Sequence, residues 1–151
     1  MSLAETQLDN AAVPSLLRRL AAIFYDCWLV AALWLLGTIV DTFIRAGMGI
    51  ESGHGSFLLL QIYFVVAPAL FFSWFWTHGG QTLGMRAWRL KVVADDGQTL
   101  TMKQALIRYL GACLSLLAAG LGYLWVLIDK QGLAWHDHLS RTRLVIIKRD
   151  Q

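Results

Sequence analysis

Charge is the scarce ingredient of this sequence. Only 15% of its 151 residues are Asp, Glu, Lys or Arg, against 57% hydrophobic. A water-soluble globule of this size needs more polar surface, so the composition excludes the soluble class and implies a membrane protein. The length is that of one domain. The formal charge of +3 is small, and the basic residues flank apolar segments instead of forming a stripe, which argues against nucleic acid as a partner. Cysteine is scarce too. Cys27 and Cys113 lie in apolar segments without metal-ligand spacing, and they read as small core residues in a reducing context. No short apolar region followed by a small-residue cleavage site precedes the first apolar run, so that run is expected to be retained, and Arg18-Arg19 resembles a twin-arginine signal only superficially. Internal repeats and low-complexity tracts are missing. No nucleophile–base or acid–base pair can be assembled, so neither an enzyme nor a cofactor is expected.

What the sequence does have is three long apolar runs: Leu20 to about Ile44, Ser56 to Trp76 and Ala105 to Ile128. Each exceeds the roughly 20 residues that cross a hydrocarbon core of about 30 Å. Pro68 falls inside the second run and is expected to kink it, which neighbouring helices tolerate in a membrane. Trp74, Trp76 and His78 then form an aromatic, polar exit. The first connection, "RAGMGIESGHGS", carries one basic residue, Arg45, one helical turn after Asp41. Arg18 and Arg19 precede the first run; Arg86, Arg89, Lys91 and Lys103 lie between the second and third; Lys130, Arg141, Arg143, Lys148 and Arg149 follow the third. The positive-inside rule therefore places the N-terminus and second connection in the cytoplasm. Three full crossings would put the most basic segment, the tail, outside.

The third run suggests how this conflict resolves. Thr101-x-x-Gln104 is a capping box that opens a helix cleanly, but "AAGLGY" (118–123) puts two glycines near the middle, and Arg108 lies one turn inside. A broken or re-entrant helix would return the tail to the cytoplasm; a straight span, with Gly111, Ser115 and Ala119 as a small-residue packing stripe, is the alternative. In the second connection, "WRLKVVADDGQTLT" reads as strand, Asp-Asp-Gly turn and strand, and "TRLVIIK" as a further strand able to pair with them. The expected architecture is an all-α membrane protein: two full transmembrane helices, a third broken or re-entrant hydrophobic helix, and a small cytoplasmic β-hairpin or strand element. Residues 1–15 are expected to be flexible, and 16–148 to form one membrane domain.

Arg19, Ala22 and Asp26 fall at i, i+3 and i+7, on one helix face. Arg19 and Asp26 are about 10 Å apart along the axis, too far for an easy pair, so Asp26 is expected to accept from another segment, with Arg108 the first choice and Arg86 the second, or from water. An aspartate at the centre of a span costs about 2.5–3.5 kcal/mol on translocon scales. It therefore holds helices together as a buried ion pair, lines a polar path as a proton or cation ligand, or sits shallow without a special role. Gln61 faces a similar choice between polar lining and helix glue. "GQTLG" (80–84) lacks the Gly-Lys-Ser/Thr of a phosphate loop; it reads as a helix stop at Gly79-Gly80 and an interfacial turn, with Arg86 and Arg89 reaching towards lipid phosphates. "WHDH" offers His136, Asp137 and His138, too few ligands for a metal site by itself. Asp137 is expected to accept from Arg19, Arg86 or Arg89 and so tie the tail to the first helix.

"RRLAAIFYD", "GGQTLGMRAWRLKVVADDGQTLTMKQALIR" and "LIDKQGLAWHDHLSRTRLV" resemble the three signature blocks of the RDD family of integral membrane proteins, from about Leu16 to Val145. The resemblance matches the family's arginine to Arg19 and its first aspartate to Asp26. The second is carried to Asp137, with Asp129 as a near candidate. Many relatives have a basic residue at Met85 and a glycine at Arg141. The resemblance implies a multi-pass protein of the bacterial cytoplasmic membrane. It further implies transport, with cation/proton exchange claimed for some members. Joined to the residue reading, the expected function is movement of an ion or small solute, with Asp26 as the buried ligand and Arg19, Arg108 and Asp137, with Asp129 near, as a charge network that opens or closes the path. Two spans and a broken one enclose a channel poorly, so a homo-oligomer or partner subunit is expected in the bilayer. The competing class is a non-transporting scaffold or assembly factor in which the same charges only hold helices together.

Overall fold

The computed structural model describes residues 12–48 and 54–147. Helix α1 (Leu16–Met48) has 33 residues, about 50 Å at 1.5 Å per residue. Helix α2 (His54–Thr77) returns beside it, and residues 57–77 are long and apolar enough to span. Gly37 permits their close contact, since a Cβ there would strike the Tyr63 ring; the Tyr63 hydroxyl donates to the Leu33 carbonyl at 2.6 Å. Pro68 has no N–H to offer the Phe64 carbonyl one turn back. The Trp34 indole N–H, from α1, donates to that carbonyl at 2.9 Å. The proline is thus accommodated by an interhelical bond. Arg45 pairs with Asp41 at 2.7 Å, as the spacing predicts.

The chain leaves α2 through Gly80, which is at φ +73 and donates to the Phe75 carbonyl at 3.1 Å. Thr82 then caps a short helix α3 (Leu83–Ala87), its hydroxyl accepting from the Met85 N–H at 3.2 Å. Strand β1 (Leu90–Ala94) follows. The expected local hairpin does not form. Gly97 donates back to Ala94, and Thr101 is already committed to the capping box of α4 (Met102–Leu117), accepting from Gln104 N–H at 3.3 Å. Strand β1 pairs with β2 (Thr142–Ile146), the tail strand that the sequence offers as a partner, antiparallel, with Leu90 opposite Ile146 and Ala94 opposite Thr142.

The third apolar segment is broken. Helix α4 ends at Leu117, Ala119 and Gly120 take φ of +54 and +80, and α5 (Leu121–Leu124) with the 3-10 turn Trp125–Leu127 leaves at 107° to it. Helix α6 (Trp135–Ser140) lies on the returning arm. The small residues serve this return: a Cβ on Gly111 would come within 3.1 Å of His136 Cα, and one on Gly122 would strike Ser115. Ala119 is exposed at the bend and does not extend that stripe.

Sheet pairing places the second connection and the tail at the same end of the molecule. The beginning of the chain joins them, because Ile146 N–H donates to the Ala12 carbonyl at 3.3 Å. Residues 1–11 of the segment expected to be flexible, residues 49–53 of the first connection and Lys148 and Arg149 lie outside the described residues; of the remainder, Pro14 is buried. Ala22, Trp76, Met85, Leu90, Val92, Leu100, Ala105 and Leu144 form the core at this end. Further along the spans, Leu35, Phe43, Leu58 and Leu59 are exposed, as on helices that meet lipid. Cys27 is exposed on α1, not packed in a core as expected, and Cys113 is half-buried.

Candidate functional site

The face formed by Arg19, Ala22 and Asp26 carries the only buried side chains of α1. Its two charges go to different places.

Arg19 reaches Asp137. Its Nη1 is 2.9 Å from Asp137 Oδ2, and its Nη2 donates to the Gly132 carbonyl at 2.8 Å. Arg108, on the second turn of α4, approaches the other oxygen, Nη1 to Oδ1 at 2.5 Å, and donates to the Thr142 hydroxyl at 2.6 Å. Asp137 Oδ2 also accepts from the Ala134 N–H at 2.9 Å, an N3 carboxylate reaching back to its helix start. Ser140 extends the network, 2.7 Å from Thr142 Oγ1 and donating to the His136 carbonyl. One carboxylate thus joins α1, α4 and α6, and Arg108 and Ser140 carry the network on to the start of β2. None of Arg19, Arg108 and Asp137 is more than 5% exposed. A buried ion pair survives only when geometry and extra hydrogen bonds offset desolvation, and here two guanidiniums and a backbone amide do so. Burial alone would raise the Asp137 carboxyl; Arg108 and Arg19 overcome it and hold the group well below the usual carboxylate range. His136 beside it is buried among cations, and burial first, then Arg108, pushes its pKa down to about 3, leaving a neutral imidazole.

Asp26 is not part of this hub, which corrects the expectation of a basic partner. Its Oδ2 accepts from the Thr82 hydroxyl at 2.5 Å and its Oδ1 from the Gly84 N–H at 2.9 Å. The donors are the cap and first turn of α3, so Asp26 meets unpaired amide hydrogens at a helix start. Gly84 makes this approach feasible, because a Cβ there would strike the Ala22 carbonyl and come within 2.8 Å of Asp26 Oδ1. Ala22 leaves room for the α3 backbone, not for a charge pair along α1. Thr82 and Gly84 fall in "GQTLG", which reads in the sequence as an interfacial turn with no link to Asp26, and Thr142 stands out in no sequence pattern. A threonine followed two residues later by glycine, just past a helix stop, was the available signal for the first two.

The other candidates separate further. Asp129 touches neither arginine of the hub: it accepts from the N–H groups of Leu133 and Gln131 at 2.8 and 3.0 Å and pairs with His138 at 3.1 Å. These contacts, led by the Leu133 N–H, lower its pKa; it organises the loop before α6. Gln61 is exposed on α2 and makes no hydrogen bond among the described residues. Arg86 and Arg89 are exposed on the side of α3 and β1, with Arg89 at φ +54. No group of three metal-ligating side chains occurs among the described residues.

One feature of the hub stands apart from its pairing. Arg108 lies over the Trp76 ring, its Cζ 5.3 Å from the centroid. Arg108 Nε, Trp76 Nε1, Ser73 Oγ and His136 Nδ1 are all buried without a hydrogen-bond partner. Each such group costs about 1–3 kcal/mol if it stays unmet.

The RDD family profile matches residues 13–141. No curated protein and no solved structure matches the chain.

Proposed function

The chain belongs to the RDD family, and from that premise we propose that it moves a small ion or solute across the bacterial cytoplasmic membrane, as a homo-oligomer or with a partner membrane subunit. The observation that carries this reading is the break in the third segment. Gly120 lies three residues beyond the end of α4, a 16-residue helix about 24 Å long at 1.5 Å per residue, and a Cβ added there would meet nothing within 4 Å. Backbone that leaves the helical pattern at membrane depth survives only against protein or water. A wet cavity, or a second subunit enclosing one, supplies that surrounding. Gln61 on the outer face of α2 suits the same assembly. The N-terminus, second connection and tail face the cytoplasm in this reading, supported by Arg45 being the one Lys or Arg between the first two apolar runs. The hub then fixes the returning arm to α1 and α4, and its rearrangement opens or closes the path.

A second reading, a non-transporting scaffold, is favoured by a specific observation: each oxygen of Asp26 and Asp137 already accepts a bond from within the chain. Purified protein in liposomes separates the two. Flux of protons, Na⁺, K⁺ or Cl⁻ above that of empty vesicles is expected for the transporter. No flux under any imposed gradient, with correctly inserted protein, assigns the chain to the scaffold class.

A further inference from the structure

We propose that the contact between α2 and α4 holds one small monovalent anion, of the size of chloride, against Arg108, Trp76 and Ser73. This goes beyond the transport reading and stands whether or not anything crosses the membrane. Ser73 and Trp76 are one turn apart on α2, and the Trp76 ring lies beside the Arg108 guanidinium. Ser73 is 1%, Trp76 8% and Arg108 3% exposed, so bulk water does not solvate them. Their unpartnered atoms are Arg108 Nε, Trp76 Nε1 and Ser73 Oγ. The first two can only donate, and the third can donate. A packed interior does not leave three such groups in one helix contact without an acceptor.

The charge of the hub agrees. Two arginines share one carboxylate, so the cluster is one positive charge in excess. Asp26 balances the count over all buried charges, but its oxygens are turned to Thr82 and Gly84, two turns along α1 from Arg19. His136 is neutral and adds no second positive charge. A water molecule could satisfy some of the donors but would leave the excess charge untouched. A single anion meets both demands, and the guanidinium edge, indole N–H and hydroxyl are ordinary donors to such an ion. Neither α2 nor α4 carries an Asp or Glu, and both oxygens of Asp137, the acid paired with Arg108 Nη1, are occupied.

The test is the full chain, purified in detergent, with gluconate replaced by chloride at constant ionic strength and the thermal midpoint followed. The expected result is a saturable rise in wild-type midpoint with chloride. In Ser73→Ala/Trp76→Phe, which keeps the aromatic face over Arg108, the apparent chloride affinity should weaken about tenfold or more, the loss expected when hydrogen bonds to an ion are removed. A wild type without saturable chloride dependence overturns the proposal, and so does a double variant that keeps wild-type affinity. If the double variant does not fold, Ser73→Ala alone decides: weaker chloride affinity supports the site, whereas equal stabilisation in chloride and gluconate shows that only an orphan hydroxyl was removed. Because no gradient is involved, a chain that binds chloride but carries nothing loses the transport reading and retains the site.

Discussion

The two buried aspartates solve one problem in different ways. Asp137 is 0% exposed and answered by two arginines; Asp26 is 4% exposed and answered by a hydroxyl and a backbone amide. The first solution binds α1 and α4 to α6 through opposite charges, and both arginines depend on the carboxylate. The second binds α1 to the start of α3 through neutral dipoles, and no partner is left charged if the carboxylate goes. The hub is therefore the more fragile of the two to chemical change, although it makes more bonds.

Substitution of each aspartate by its amide tests that difference. Asp137→Asn leaves Arg19 and Arg108 buried against a neutral group, and breaking a buried pair in this way costs about 3–5 kcal/mol. Thermal melting in detergent should show the largest loss of all single changes in this region, with the returning arm from Asp129 to Ile147 becoming the first part exposed to protease. If Asp137→Asn melts like wild type, the hub does not hold the arm and the comparison breaks.

Asp26→Asn should be milder. An amide oxygen can still accept from the Gly84 N–H, but its nitrogen then faces a Thr82 hydroxyl that already accepts from Met85. One hydrogen bond to a charged acceptor is lost and no cation is stranded, so the expected cost is about 1–2 kcal/mol. Equal losses for both amides would mean that Asp26 also answers a cation when the protein sits in its membrane.

The two solutions differ in how visibly they are written in the sequence. Apolar run length marks α1 and α2, and the paired glycines in "AAGLGY" together with the basic tail mark the break at Ala119–Gly120. Arg19 and Asp137 could be matched because opposite charges invite pairing. The same logic offers Asp26 the cations Arg108 and Arg86, and it fails where the partners are uncharged: Thr82 and Gly84 lie 56 and 58 residues away and carry no complementary sign. The sheet was legible in part: the tail reads as a strand able to pair with the second connection, and it does, while the hairpin partner nearer in sequence is lost for a related reason. The residues after the Asp-Asp-Gly turn have strand character, but Thr101 caps α4, so β1 must find its partner in the tail. Local pattern names candidates; competition between neighbouring elements for the same residues decides among them.

The smallest expected effect concerns the turns that frame the two sites. The chain enters the Asp26 contact with α3 through Gly80 at φ +73, a conformation that costs glycine little, and a Cβ there would come within 2.5 Å of the Val92 carbonyl. It leaves the hub through Arg141, which ends α6 at φ +53, ψ +53, immediately before Thr142. That left-handed conformation crowds the Cβ of any ordinary residue. The guanidinium offers nothing visible in return, because Arg141 is exposed and makes no side-chain hydrogen bond among the described residues. Arg141→Gly should therefore relieve about 1 kcal/mol of strain and raise the melting midpoint by a few degrees, making the exit of the hub resemble the glycine entrance to the Asp26 contact. The gain should be the same at low and high salt, because it comes from backbone geometry and not from charge. A decrease, or a gain that vanishes with added salt, would show that Arg141 contributes through an interaction at the surface of the assembled protein.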